Sequence, residues 1–167
     1  ILYNVPSRTG VDLLPETVAR LARHPRIVAV KEATASLSRA REILGGCPAE
    51  FTLLSGDDAS AVDLYGVGAK GIISVTANVV PRRMHEACVA ALAGDLGKAR
   101  SIDASLQPLH KELFVEANPI PVKWAVARMG LIGNAIRLPL VELSTPHRDT
   151  VLRAMRTAGV IFEEEAA

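Results

Sequence analysis

Short apolar runs alternate with amphipathic stretches through the first part of the chain. ILYNV (1–5) is followed by LLPETVARLARH, IVAVK (27–31) by SLSRAREILGG, FTLLS (51–55) by DDASAVDLYGVG, and KGIISVT (70–76) by PRRMHEACVAALAGD. The runs have the length of strands, and the stretches between them carry the spacing of helices buried along one face. Repeats of this kind, each about 20–26 residues long, predict right-handed βαβ units around a parallel sheet. The punctuation agrees. Pro81 suits a first helical turn, Gly45-Gly46 and Gly94 follow helical patterns, and Asp57 and Asp58 stand where a helix start needs acceptors for its free amides. Beyond residue 95 the pattern is helical only. DLGKARSIDASLQPLHKELFVEA predicts one long helix kinked at Pro108, NPIPVKWAVARMG a second that opens on prolines, and TPHRDTVLRAMRTAGV a third, ahead of a solvated EEEAA tail.

In an extended strand, alternate residues share a face. Ile27, Ala29 and Lys31 then point one way and Val28, Val30 and Glu32 the other, while Ile1 and Tyr3 share a face of the first strand. Parallel α/β folds collect their chemistry at the carboxyl ends of strands, where Lys31 and Tyr3 both stand. A lysine amine attacks a carbonyl only when neutral, and its ordinary pKa of about 10.4 must be lowered by dry surroundings before it does so at neutral pH. From the pattern alone Lys31 is either such a nucleophile or a side chain that snorkels to water or pairs with Glu32. Tyr3 is equally readable as a core residue with a wet hydroxyl, and Arg8, in the PSRTG loop, as a solvated charge. Periodicity also leaves the fold open between a doubly wound sheet and half of an eight-stranded barrel, which takes about 250 residues. No G-x-G-x-x-G opens a helix, since YGVGAKG precedes a strand, and this argues against a dinucleotide site.

Composition narrows the function classes. The 167 residues are 49% hydrophobic and 22% charged, an ordinary globular balance. Nineteen basic against 18 acidic residues leave a net charge of +1 and no basic cluster, so no nucleic-acid partner is expected. No apolar run approaches the roughly 20 residues of a membrane helix, and the first residues lack a signal-peptide pattern, so a cytoplasmic protein without membrane attachment is expected. Cys47 and Cys88 are too few for a disulfide framework and read as small buried hydrophobes. His24, His85, His110 and His147 lack ligand spacing, so no metal is expected. Ser74 and Thr76 read as pocket-wall or backbone-capping hydroxyls, and Lys123 as a packing or surface charge.

LYNVPSRTG, VKEAT, LLSGDDAS and GIISVTANVVPR, in this order and spacing, with the later LHKELFVEANPIPVKWA, resemble the second half of the dihydrodipicolinate synthase family. That family lies among the pyruvate-dependent class I aldolases, with N-acetylneuraminate lyase, and the resemblance covers nearly the whole chain. It implies an α/β fold: the second half, four βα units equivalent to strands five to eight, of a TIM (β/α)8 barrel over residues 1–94, then a C-terminal helical region over 95–167. It implies a lyase that condenses pyruvate with L-aspartate 4-semialdehyde to give 4-hydroxy-tetrahydrodipicolinate in the diaminopimelate route to lysine. By the same resemblance Lys31 forms the Schiff base with pyruvate, and Tyr3 relays protons. Arg8 grips the semialdehyde carboxylate, and the backbone at Gly56 and Ile73 lines the pyruvate pocket.

No metal or organic cofactor is implied, pyruvate being held covalently as the substrate imine. The family's working unit is a homo-oligomer, usually a tetramer. The arginine of YNVPSRTG favours the synthase over sibling aldolases such as N-acetylneuraminate lyase or a keto-deoxy sugar aldolase; a non-catalytic half-barrel fragment is the remaining alternative. The family's first four βα units have no counterpart in these residues. With them are missing a threonine pair that helps bind pyruvate, a tyrosine supplied by the neighbouring subunit and most of the lysine-feedback site. The chain alone is therefore expected to be inactive, with strand edges and an inner apolar face open to association.

Overall fold

A computed structural model of the chain describes residues 1–161. Four strands, β1 (Leu2–Asn4), β2 (Ala29–Glu32), β3 (Thr52–Ser55) and β4 (Gly71–Ile72), form one parallel sheet in the order β1-β2-β3-β4. A one-turn helix α1 (Pro6–Thr9) and then α2 (Pro15–Leu21) follow β1. Helix α3 (Leu37–Gly46) follows β2 and α4 (Ala61–Gly66) follows β3, so the repeat predicted from the apolar pattern is the repeat observed. The described chain continues through a single 3-10 turn at Thr76–Asn78, α5 (Pro81–Leu92), α6 (Leu96–Ala104), α7 (Gln107–Glu112), α8 (Ile120–Arg128) and α9 (Thr145–Thr157). Pro81 opens α5 as expected. At Pro108 the break is sharper than a kink: α6 ends at Ala104, and the proline lies in the first turn of a separate helix, α7, where its missing amide is no loss. The EEEAA tail lies outside the described residues.

The chain divides into two compact units, Ile1–Ser74 with Ala87–Arg100, and Val75–Glu86 with the chain from Ser101 onward. In the first, Val30 and Leu53 on one sheet face pack with Val18 of α2, Ala40 and Ile43 of α3 and Leu64 of α4, with Leu2 and Ile72 against them. Each fully buried aliphatic side chain of this kind stabilises the fold by about 1.5–3 kcal/mol. Strand alternation starts later than the apolar run suggests. Val28 precedes β2 and is 57% exposed although its carbonyl accepts the first bond of the β2–β3 ladder, from the Thr52 amide at 2.9 Å, while Ile27 packs on the same core as Val30. Ser36 caps α3, its hydroxyl accepting from the Arg39 amide. Tyr65 of α4 donates its hydroxyl to Cys88 Sγ at 3.0 Å, so Cys88 serves as an acceptor as well as a small hydrophobe. Burial pushes the Tyr65 hydroxyl well above its ordinary pKa, and the bond to Cys88 adds in the same direction. Partial burial raises the Cys47 thiol.

In the second unit α9 packs on α7 and α8, burying Leu109, Val151 and Met155. Its polar centre is His110, 2% exposed, whose Nδ1 lies 2.8 Å from Thr76 Oγ1 and whose Nε2 lies 3.1 Å from Asp103 Oδ1. Gln107 Nε2 donates to Asp103 Oδ2 at 2.6 Å. Thr76, expected as a pocket-wall or capping hydroxyl, is fully buried in this network.

Candidate active site

Register assembles the candidate residues. β1 and β2 pair with Tyr3 opposite Lys31 and Asn4 opposite Glu32; β2 and β3 pair with Lys31 opposite Leu54 and Glu32 opposite Ser55; Leu54 then meets Gly71 of β4. Tyr3, Lys31, Leu54 and Gly71 therefore form a row on the sheet face away from the α2–α3–α4 core, and Asn4, Glu32 and Ser55 a row on the core side. Lys31 is half-buried, and Tyr3 is 49% exposed. The Lys31 Nζ lies 4.3 Å from the centroid of the Tyr3 ring, an approach within cation–π range. A residue separation of 28 is bridged here by one ladder step.

Gly56 makes room for that approach. It follows β3 directly, and its amide donates to the Glu32 carbonyl at 2.7 Å. A Cβ at this position would lie 3.0 Å from Lys31 Cε and 2.8 Å from Ala33 Cβ, so the lysine stem runs across a site that only glycine leaves open. Ile73 continues the ladder beyond β4, its amide donating to the Ser55 carbonyl at 2.9 Å, and its side chain is 44% exposed. Arg8 sits on α1, whose left-handed C-cap Gly10 turns the chain back; among the described residues no hydrogen bond or ion pair joins the guanidinium to Lys31 or Tyr3. Lys31, Tyr3 and Gly56 are thus brought together, Ile73 is tied to the end of β3, and Arg8 stands on an exposed turn.

Glu32 does not pair with Lys31. It faces the core, where its Oε2 accepts from Asn4 Nδ2 at 2.9 Å and its Oε1 from the Thr34 amide at 2.7 Å. Strand alternation places successive residues on opposite faces, which is why the neighbouring carboxylate and ammonium cannot meet. Asp57 does not cap α4 itself, whose N-cap is Ser60 without a side-chain cap bond; it closes the turn that leads into the helix, its Oδ2 accepting from the amide and the hydroxyl of Ser60 at 3.0 and 2.6 Å. Asp58 is buried and accepts from the Ser74 hydroxyl, which links the end of β4 to the β3–α4 turn. Sequence reasoning missed the Asn4–Glu32 pair; the signal was available, since the alternation that put Tyr3 and Lys31 on one face put these two polar residues together on the other. It also missed Ala35, a non-glycine residue with φ of +60° in the turn after β2. Among the described residues no group of three or more His, Cys, Asp or Glu side chains could hold a metal ion, and no helix is long and apolar enough to cross a membrane.

Comparison with known proteins adds to this geometry. Residues 1–158 match the model of the Dihydrodipicolinate synthetase family. Over 161 residues the chain is 56% identical to the 4-hydroxy-tetrahydrodipicolinate synthase of Stutzerimonas stutzeri and 55% identical to that of Pseudomonas aeruginosa, covering 96% of this chain and 55% of each relative. Among solved structures, the chloride-inhibited dihydrodipicolinate synthase of Acinetobacter baumannii complexed with pyruvate superposes with a TM-score of 0.93 at 46% identity, over 96% of this chain and 55% of that one. The Aquifex aeolicus dihydrodipicolinate synthase gives 0.93 at 40% identity, over 97% and 56%. The chain spans about half the length of the curated relatives it matches, and its four-stranded sheet with flanking helices corresponds to part of their TIM barrel.

Proposed function

Because the chain belongs to the dihydrodipicolinate synthetase family, we propose that its residues supply the imine-forming part of a lyase that condenses pyruvate with L-aspartate 4-semialdehyde to 4-hydroxy-tetrahydrodipicolinate, a step toward diaminopimelate and lysine. The observation that carries this is the Lys31 amine over the Tyr3 ring, at the carboxyl ends of adjacent parallel strands, with Gly56 vacated beneath the lysine stem. Lys31 Nζ adds to the ketone carbon of pyruvate, and the ketone oxygen leaves as water. The resulting iminium draws electrons from the methyl group, which loses a proton to become an enamine and attacks the aldehyde carbon of the second substrate. In this reading the Tyr3 hydroxyl moves protons in both steps, a role supported by the nearness of its ring to the amine. Arg8, on its exposed turn, offers a planar donor fork for the semialdehyde carboxylate, and the backbone at Gly56 and Ile73 lines the pyruvate pocket. The iminium is itself the electron sink, so the chemistry needs no metal or organic cofactor.

In this proposal residues 1–94 are the barrel part and 95–167 the helical region, and the working enzyme is a cytoplasmic homo-oligomer with a complete barrel. The 167-residue chain alone has little turnover, because half of an eight-stranded cavity leaves the amine in contact with water. Borohydride reduction in the presence of pyruvate, followed by peptide mass spectrometry, is the test. In a polypeptide carrying the remaining barrel strands, a reduced adduct on Lys31 that is lost in Lys31→Ala is expected. An adduct spread over surface lysines, or none on Lys31 in that complete barrel, overturns the assignment.

A further inference from the structure

Register brings Lys31 beside Tyr3, but an unbranched lysine stem on an open sheet face samples many rotamers unless the backbone beneath it is held. What holds it lies on the other side of the sheet. Asn4 and Glu32, each 1% exposed, follow Tyr3 and Lys31 directly and face the core. Glu32 Oε2 accepts from Asn4 Nδ2 at 2.9 Å, and Glu32 Oε1 accepts from the Thr34 amide at 2.7 Å. Asn4 Oδ1 accepts from the Leu13 amide at 2.9 Å, and its Nδ2 also reaches Asp12 Oδ1 at 3.1 Å. Arg39 closes the network from α3, reaching Asp12 Oδ2 at 2.5 Å and the Leu13 carbonyl at 3.2 Å. The main chain joins in: the Ala33 amide donates to the Asn4 carbonyl at 3.0 Å, and the Gly56 amide to the Glu32 carbonyl at 2.7 Å. Glu32 alone therefore touches the end of β1, the turn after β2 and the turn after β3.

Two features set this apart from ordinary strand pairing. An apolar pair at these positions would hold β1 to β2 equally well, whereas a buried carboxylate is tolerated only when its lone pairs are met and its donors are fixed in direction. The turn that the carboxylate closes is also strained, with Ala35 in the left-handed region at φ +60°; such strain persists where the surroundings over-determine it. The bond from Thr34 to Glu32 lies immediately before that residue.

We propose that Glu32, acting through Asn4 and the Thr34 amide, is a positioning residue for Lys31: its core-facing carboxylate locks the ends of β1 and β2 so that the amine on the opposite face stays over the Tyr3 ring. For its catalytic consequence this rests on the assignment of Lys31 as the nucleophile. Side-chain NMR of the 167-residue chain separates the two. Lys31 Nζ lies 4.3 Å from the Tyr3 ring centroid, so an upfield shift of the adjoining Hε protons is expected, one that Tyr3→Ala abolishes. In Glu32→Gln one acceptor oxygen becomes an amide donor facing Asn4 Nδ2 or the Thr34 amide, both of which also donate. The expected result is loss of at least half of the upfield shift, with the Val30 and Leu53 methyl signals retained, and partial recovery in Glu32→Asp, which keeps both oxygens on a shorter stem.

In the complete barrel the rate of borohydride-trapped adduct formation falls about 10- to 100-fold in Glu32→Gln, the scale expected when a reacting group is misplaced by around 1 Å. An unchanged Lys31 shift in folded Glu32→Gln, or no ring-current shift in the wild-type chain, overturns the proposal. If Glu32→Gln does not fold, Asn4→Ser removes one donor to the carboxylate and decides the question by the same shift. A wild-type shift that is present and responds to Glu32→Gln, with no adduct on Lys31 in the complete barrel, supports the positioning role and overturns only the nucleophile assignment.

Discussion

Replacing Gly56 by alanine tests the packing beneath Lys31. The new Cβ would lie 2.8 Å from Ala33 Cβ, 3.0 Å from Lys31 Cε and 3.1 Å from Ala33 Cα, against an ordinary carbon–carbon contact of about 3.5–4.0 Å. The lysine stem can swing aside, which moves the amine off the Tyr3 ring. Ala33 cannot move alone, because its amide is bonded to the Asn4 carbonyl and the Gly56 amide to the Glu32 carbonyl. Relief therefore has to come from parting the ends of β2 and β3. Overpacking of this kind costs about 1–3 kcal/mol. With a urea dependence of roughly 1–3 kcal/mol per molar, the unfolding midpoint followed by circular dichroism falls by about 0.3–3 M.

Two glycines serve as controls. At Gly71 the added Cβ meets only the far end of a flexible side chain, Leu54 Cδ2, at 3.1 Å, so Gly71→Ala costs less. At Gly10 nothing lies within 4 Å, but φ is +68°, and Gly10→Ala costs about 1 kcal/mol through the left-handed backbone alone. A Gly56→Ala midpoint equal to wild type, or one that falls by less than that of Gly71→Ala, would refute the claim that the site is filled to contact.

Three further outcomes follow from the same structure. Tyr65 has a folded-state pKa raised above its ordinary 10.0, so the stability tied to its neutral form is complete below pH 10 and is lost as pH rises further; the unfolding free energy should fall by up to about 1.4 kcal/mol per pH unit in that alkaline range, and Tyr65→Phe should remove this component while leaving the rest of the pH profile in place. Ala35→Gly relieves a left-handed backbone at the price of a freer unfolded chain and should stabilise by about 0.5–1 kcal/mol, raising the thermal midpoint by roughly 1–4 °C; an unchanged or lower midpoint contradicts the strain assigned to that turn. His110→Ala removes the buried imidazole that meets both Thr76 and Asp103 and should destabilise by about 2–4 kcal/mol in urea titrations, with a loss below 1 kcal/mol showing that the network is not a structural centre of its unit.

Much of this molecule is legible from periodicity, because period-2 and period-3.6 burial is written into local order. The four strands, the order of the helices and the face shared by Lys31 within its strand follow from the positions of apolar residues and of proline and glycine. Local patterns stop where a partner is remote in sequence. That Tyr3 meets Lys31, that Gly56 lies under the lysine stem and that Glu32 bonds Asn4 instead of its neighbour are decided by strand register, which couples residues 25 to 28 positions apart. The same limit explains Val28, Pro108 and His110. Whether an apolar residue at a strand mouth is covered, whether a proline bends or divides a helix, and whether a histidine is buried between a threonine and an aspartate depend on what packs against them, and only the folded chain supplies those neighbours.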